Sequence, residues 1–150
     1  MSVPHETPAE PSTEARLVPI GPDLLMRYVR PVAQLLAPAL ERGGDMTATD
    51  MFREVVGNNL QLWAIEQGPQ VVGAVVTRLA ARPRRRVATV LYVGGVNMSD
   101  WLHLLEQIEA WARAVGASRM EVVGRKGWKR VLPGYRADSV VLSKDFVDVQ

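Results

Sequence analysis

LQLWAIEQGPQVVGAVVTRLAARPRRRVATVLYVGG, residues 60–95, decides how this chain folds. Residues 60–67 and 71–79 are two runs rich in Val, Leu, Ile, Trp and Thr, and Gly68-Pro69 stands between them. Runs of that composition around a Gly-Pro turn predict a β-hairpin. ARPRRR at 81–86 interrupts the pattern, and residues 86–93 resume it with Val87, Thr89, Leu91 and Val93 alternating. The middle of the chain therefore reads as a three-stranded antiparallel meander.

Towards the carboxyl end, the period changes after Gly94 and Gly95. Trp101, Leu104, Leu105, Ile108, Trp111, Ala112 and Val115 recur at helical spacing, with Glu106, Gln107, Glu109 and Arg113 opposite. Ser99 or Asp100 is placed to cap this helix, and Gly116 to end it in the left-handed conformation. Residues 119–123 predict a short strand that pairs in parallel after a right-handed crossover. Residues 126–132 predict a last short helix and 139–146 a final strand.

Towards the amino end, residues 23–42 suit helix, opened by Asp23 and stopped by Gly43 and Gly44. Pro31 and Pro38 inside it predict a kink or two shorter helices. Thr49 and Asp50 open a second helix over 51–56, which Gly57 and Asn58 close. Residues 1–16 hold Pro4, Pro8 and Pro11 among Ser, Thr and Glu, with little to bury. They read as a flexible or partner-bound arm ahead of a single domain over 17–150.

Composition narrows the function. With 150 residues, 47% of them apolar, the chain can bury a core without staples. It has no cysteine, which excludes disulfides and thiolate metal sites. No basic-then-apolar leader opens it and no apolar run reaches membrane-spanning length. The expectation is a soluble cytoplasmic protein, or one packaged into something assembled there. The net charge of +2 is too small to argue for nucleic acid, but it is unevenly placed. Arg82, Arg84, Arg85 and Arg86 form one basic knot; Arg125, Lys126, Lys129, Arg130 and Arg136 form a second. Neither His5 nor His103 has a ligand partner nearby in sequence, so no metal site is expected.

The whole order is helix, helix, three strands, helix, strand, short helix, strand. It resembles the GNAT N-acetyltransferase superfamily over residues 60–146, an α/β fold with a mixed, mostly antiparallel central sheet flanked by helices. The resemblance is carried by LWAIEQGPQVVGAVVTRL, VATVLYVGG, WLHLLEQIEAWARAVGA and the ending SRMEVVGRKGWKRVLPGYRADSVVLSK. That ending is similar to small GNAT-like proteins of tailed bacteriophages, some of which lie among virion genes.

The resemblance implies acetyl-CoA as cofactor, with its pyrophosphate held by a Q/R-x-x-G-x-G/A turn after the fourth strand. Free backbone N–H groups and the positive end of a helix attract phosphate there. The corresponding stretch here is VGGVNMSDW, so Val93, Gly94, Gly95 and Val96 are the candidate cofactor residues. The leading Gln or Arg is missing, the spacing differs, and Asp100 adds a negative charge. The family also implies a base for the amine and often a tyrosine acid on the last helix. The tyrosine's place falls near Arg130. By position, Glu66 is the first candidate base and Glu121 the second; Tyr135 reads as the candidate acid or as a core or rim residue, and Tyr92 as a cleft residue or a buried one. Three functions stay open: a non-catalytic or virion-associated component assembled through the arm, an acetyl-CoA-dependent N-acetyltransferase, and a nucleic-acid-associated protein. Trp128 beside Lys129 and Arg130 reads equally as a contact surface or as core filler.

Overall fold

The computed structural model describes residues 14–124 and 127–147. Residues 1–13, most of the expected arm, and Arg125 and Lys126 of the second basic group lie outside that description. Five strands form one sheet in the order β1-β2-β3-β4-β5. They are β1 (Ala15–Ile20), β2 (Gln61–Gln67), β3 (Gln70–Arg82), β4 (Arg85–Gly95) and β5 (Arg119–Val122). The first four are antiparallel neighbours and β5 runs parallel to β4. The meander and the parallel crossover are as the sequence predicts. β1 is an addition, and it takes Ala15 and Arg16 from the end of the arm into the sheet opposite Gln67 and Glu66.

The helix α1 (Leu25–Gly43) lies on one face of the sheet with α2 (Ala48–Val56). Val32, Leu36 and Leu40 of α1 bury against Leu62, Ala64, Ala74 and Val76. Each fully buried Leu or Val stabilises by about 1.5–3 kcal/mol relative to exposure. This stripe holds α1 as one helix, not the two shorter ones that its prolines allow. Pro31 and Pro38 each leave the carbonyl four residues earlier without its helical donor, and those residues, Arg27 and Gln34, are exposed. The start of α1 carries no side-chain cap; Asp23 sits in the preceding turn. The second helix also begins differently from expectation. Thr47 is its cap, its side chain accepting from the Asp50 N–H while the Asp50 carboxylate accepts from the Thr47 N–H.

The other face is covered by α3 (Leu105–Ala114). Ile108 packs on Trp63, Val75 and Val90. Trp63 also meets Trp111 edge to face at 5.2 Å. The Trp63 indole donates to Thr77 Oγ1 at 3.0 Å, and that hydroxyl donates to Gln61 Oε1, which is why a threonine can be buried there. Arg86 donates to the Val115 carbonyl at the end of α3, and Gly116 follows with φ +94.

Two expectations fail at the carboxyl side of the sheet. The helix after β4 starts at Leu105, not near Trp101: Met98–Asp100 and Leu102–Leu104 are tight 3-10 turns instead. Ser99 and Asp100 therefore lie in the first turn and cap nothing. After the four-residue α4 (Trp128–Val131), residues 139–146 form no strand; Val140, Val141, Leu142 and Phe146 are exposed. A strand needs a neighbour to take its backbone hydrogen bonds, and the sheet ends at β5.

Candidate functional site

The sheet opens at one place. Val76 pairs with Tyr92 and Thr77 with Val90, so Leu91 is an extra residue in β4. Such a bulge bends and twists its strand. β5 follows β4 only as far as Val90, opposite Val122, with a last hydrogen bond from the Val123 N–H to the Val90 carbonyl. Beyond the bulge, residues 91–95 of β4 continue without β5. The candidate cofactor residues Val93, Gly94, Gly95 and Val96 form the end of this free stretch.

What surrounds them is protein. A Cβ on Gly94 would stand 2.1 Å from the Leu35 carbonyl oxygen of α1. One on Gly95, whose φ is +156, would stand 2.7 Å from the Trp101 ring, and one on Gly73 in the adjoining strand 2.5 Å from the same ring. Trp101 is buried and its indole donates to the Val96 carbonyl at 2.9 Å. The bareness of these glycines is thus used by α1 on one face and by Trp101 on the other. Four of the backbone donors nearby are engaged as well: Val96 N–H to Val72, Asp100 N–H to Asn97, Trp101 N–H to Met98 and Leu104 N–H to Trp101. Tight turns close on themselves in this way and leave fewer amides for an anion.

The space between β4, β5, α3 and α4 is apolar. Val90, Val93, Val122, Trp101, Trp128 and Leu132 are among its walls, and about 20 Å³ of room remains, enough for one water at most. Trp128 therefore serves as wall as well as surface: it also lies 2.7 Å from where a Gly124 Cβ would be. Lys129 and Arg130 beside it are exposed.

The candidate catalytic residues are not gathered. Glu66 is on the α1 face, where the Tyr28 hydroxyl donates to Oε1 at 2.7 Å and Arg16 lies 3.5 Å from Oε2. The hydrogen bond to Glu66 is the main reason the Tyr28 hydroxyl titrates above its ordinary range. Glu121 is on β5, three strands across from Glu66 and about seven residues further along the sheet, so roughly 25 Å away. Arg82 grips it at 2.7 Å and Arg119 at 3.1 Å. Chiefly through Arg82, its carboxyl is held below the usual carboxylate range, which weakens it as a base. Tyr135 packs against α3 and donates to Glu109 Oε2 at 2.6 Å. Burial first, then Glu109, pushes its pKa well up, so its proton is firmly held. Tyr92, read from the sequence as a cleft-lining or buried residue, faces the end of α1, its ring 3.3 Å from where a Gly43 Cβ would be. Burial and then Asp45 raise its pKa. Beside it, the end of α1 and the start of α2 frame an open groove of about 420 Å³ lined in part by Glu41, Asp45 and Asp50.

The arginine knot is partly committed to structure, Arg82 to Glu121 and Arg86 to α3. Among the described residues no group of three His, Asp or Glu could hold a metal ion, and no helix is long and apolar enough to cross a membrane. Sequence reasoning misses Trp101 as the plug of this region and Tyr28 as the partner of Glu66. Gly73 inside a strand is the available signal for the first, since an isolated strand glycine marks a close approach.

No family model matches the chain, and no curated protein matches it in sequence. Solved structures do match in fold. A ribosomal-protein-alanine N-acetyltransferase from Brucella melitensis biovar Abortus 2308 superposes with a TM-score of 0.68 at 12% identity, covering 89% of this chain and 99% of that one. A GNAT family acetyltransferase from Staphylococcus aureus subsp. aureus USA300_TCH1516 gives 0.63 at 9% identity, covering 89% and 99%. An aminoglycoside acetyltransferase from an uncultured soil metagenomic sample, in complex with sisomicin, gives 0.67 at 12% identity, covering 89% and 97%. The chain thus has a GNAT-like α/β fold.

Proposed function

We propose that this chain keeps the GNAT fold without its cofactor chemistry and serves as a non-catalytic binding component, of the virion-associated type that its ending resembles. The carrying observation is the fate of Gly73, Gly94 and Gly95. Their open sides are occupied by Trp101 and by the α1 backbone, where a phosphate cradle needs bare amides aimed at a ligand. The residues present do not fit acetyl-CoA. The turn after β4 carries Asp100 and spends several of its amides on its own carbonyls, and the gap beyond Val90 and Val122 is walled by apolar side chains. In this reading the amino-terminal arm ahead of β1 is the handle to a protein assembly. The basic knot is weaker support for nucleic acid, because Arg82 and Arg86 already have internal partners.

A second reading, an acetyl-CoA-dependent N-acetyltransferase, draws on two observations. β4 still parts from β5 at the Leu91 bulge, and the groove with Glu41, Asp45 and Asp50 would suit a cationic amine. Calorimetric titration of the purified protein with acetyl-CoA separates the two. The non-catalytic reading expects no heat of binding at millimolar ligand. Micromolar affinity would overturn it and turn attention to amines in the acidic groove.

A further inference from the structure

Residues 67–99 carry five arginines and no Asp or Glu, and the arginines gather at the far end of the β3–β4 hairpin. β2 pairs with β3 only as far as Thr77, opposite Gln61, and β5 joins β4 only from Val87, opposite Arg119. The tip of the hairpin, closed by the turn at Pro83-Arg84, therefore projects past both neighbouring strands. In its register Arg82 stands directly opposite Arg85. Like charges so placed weaken a ladder. Strand alternation puts Arg78, Arg82 and Arg85 on one face, together with Arg119 and Glu121 of β5. The carboxylate of that face is already held, by Arg82 at 2.7 Å and Arg119 at 3.1 Å. Asp138, the next acid along, is taken by Arg119 and Arg136. Arg78, Arg84 and Arg85 are exposed, and among the described residues none of the three forms an ion pair. The chain thus keeps a surplus of positive charge that it does not neutralise and that works against its own hairpin.

Shape and charge together select the partner. The major groove of B-form DNA, about 12 Å wide, admits a two-stranded ribbon and has phosphates along both walls. Guanidinium groups match phosphate oxygens in pairs of hydrogen bonds. Residues 78–86 contain no aromatic side chain, so the ribbon offers a single strand nothing to stack on. We propose that the tip of the β3–β4 hairpin binds duplex DNA through its phosphates, without sequence preference, by way of Arg78, Arg84 and Arg85. Arg82 and Arg86, engaged with Glu121 and the Val115 carbonyl, hold the ribbon in place for that contact. Such binding goes beyond the proposed function and is independent of whether acetyl-CoA is held after β4.

Fluorescence anisotropy of a labelled duplex titrated with the full-length chain reads this directly. At about 50 mM salt a dissociation constant of roughly 1–100 µM is expected, and no binding overturns the proposal. Three phosphate contacts should make the affinity fall about 40-fold between roughly 50 and 200 mM salt; a flat dependence overturns it. Arg84→Ala combined with Arg85→Ala should weaken binding at least about tenfold and reduce the salt slope by about 2. Its melting temperature should hold or rise, since a like-charge pair is removed. Wild-type affinity in that variant overturns the site. Lys129→Ala combined with Arg130→Ala, in the second basic group, should change affinity less than about twofold, because distant charges are screened. An equal loss there would mean diffuse attraction to a basic protein and would overturn the ribbon as the site. A single strand that binds more tightly than the duplex overturns the groove. Polyglutamate that competes as well as unlabelled duplex would make an acidic protein segment the partner and overturn DNA.

Discussion

On the side of β2, β3 and β4, the sheet is pressed between α1 and α3, and the contact is close enough that Gly94 leaves no space for a methyl group. Around β5 and the segment after it, the same chain uses a strand of four residues, a string of ion pairs and a run of exposed apolar side chains. The first region is held by burial, which is contiguous and hard to perturb in parts. The second is held by individual polar contacts, each worth little at the surface. The packed side fixes the fold and uses its glycines for close contact with α1 and Trp101, while the β5 side is more exposed.

Three substitutions probe this division. Gly94→Ala should have the largest effect, because its Cβ would meet the backbone of Leu35 and not a flexible side chain. A loss of about 2–3 kcal/mol is expected from overpacking, read from chemical denaturation; a change within experimental error would show that α1 is free to shift and the region is not tightly packed. Tyr135→Phe comes next, at about 1–2 kcal/mol for a lost hydrogen bond to a carboxylate. The folded-state pKa of Tyr135 is raised, so its stabilisation is full below pH ~10 and is lost as pH rises through the raised value. The gap between the two proteins should therefore narrow in strong alkali. Were Tyr135→Phe as damaging as Gly94→Ala, the β5 side would have to count as core.

Glu121→Gln should be the mildest, under about 1 kcal/mol at neutral pH, because its partners are surface arginines. The carboxyl is depressed, so its contribution is present above the ordinary carboxylate range and fades as pH falls through the lowered value. Melting temperatures of the two proteins should converge in acid. Divergence there would mean that the Arg82–Glu121–Arg119 string does not act through the charge of Glu121.

Much of the fold is legible in the residue pattern. The alternation of Val87, Thr89, Leu91 and Val93, the Gly-Pro turn and the helical stripe from Leu104 to Ala112 are local periods, and local periods report which face of an element is buried. The site is less legible. VGGVNMSDW shows two glycines, and glycine is equally suited to admitting a phosphate or to admitting an indole ring; only the position of Trp101 decides between them. The start of α3 departs from its periodicity for a related reason. Trp101 falls in the apolar stripe, but it is needed over Gly73 and Gly95, and the chain reaches that position through 3-10 turns.

Residue spacing and composition suffice for the antiparallel meander, the parallel crossover to β5 and the absence of cysteine chemistry, because side chains carry that information locally. Three other features arise only when the chain is folded. Ala15–Ile20 becomes an edge strand, although its Pro19 and short run give no strand signal until β2 lies beside it. The glycines after β4 go to Trp101 and α1. Among the described residues the sheet ends at β5, and 139–147 join no strand. Each of these depends on which distant backbone supplies a hydrogen bond or occupies a space, and residue spacing does not encode that.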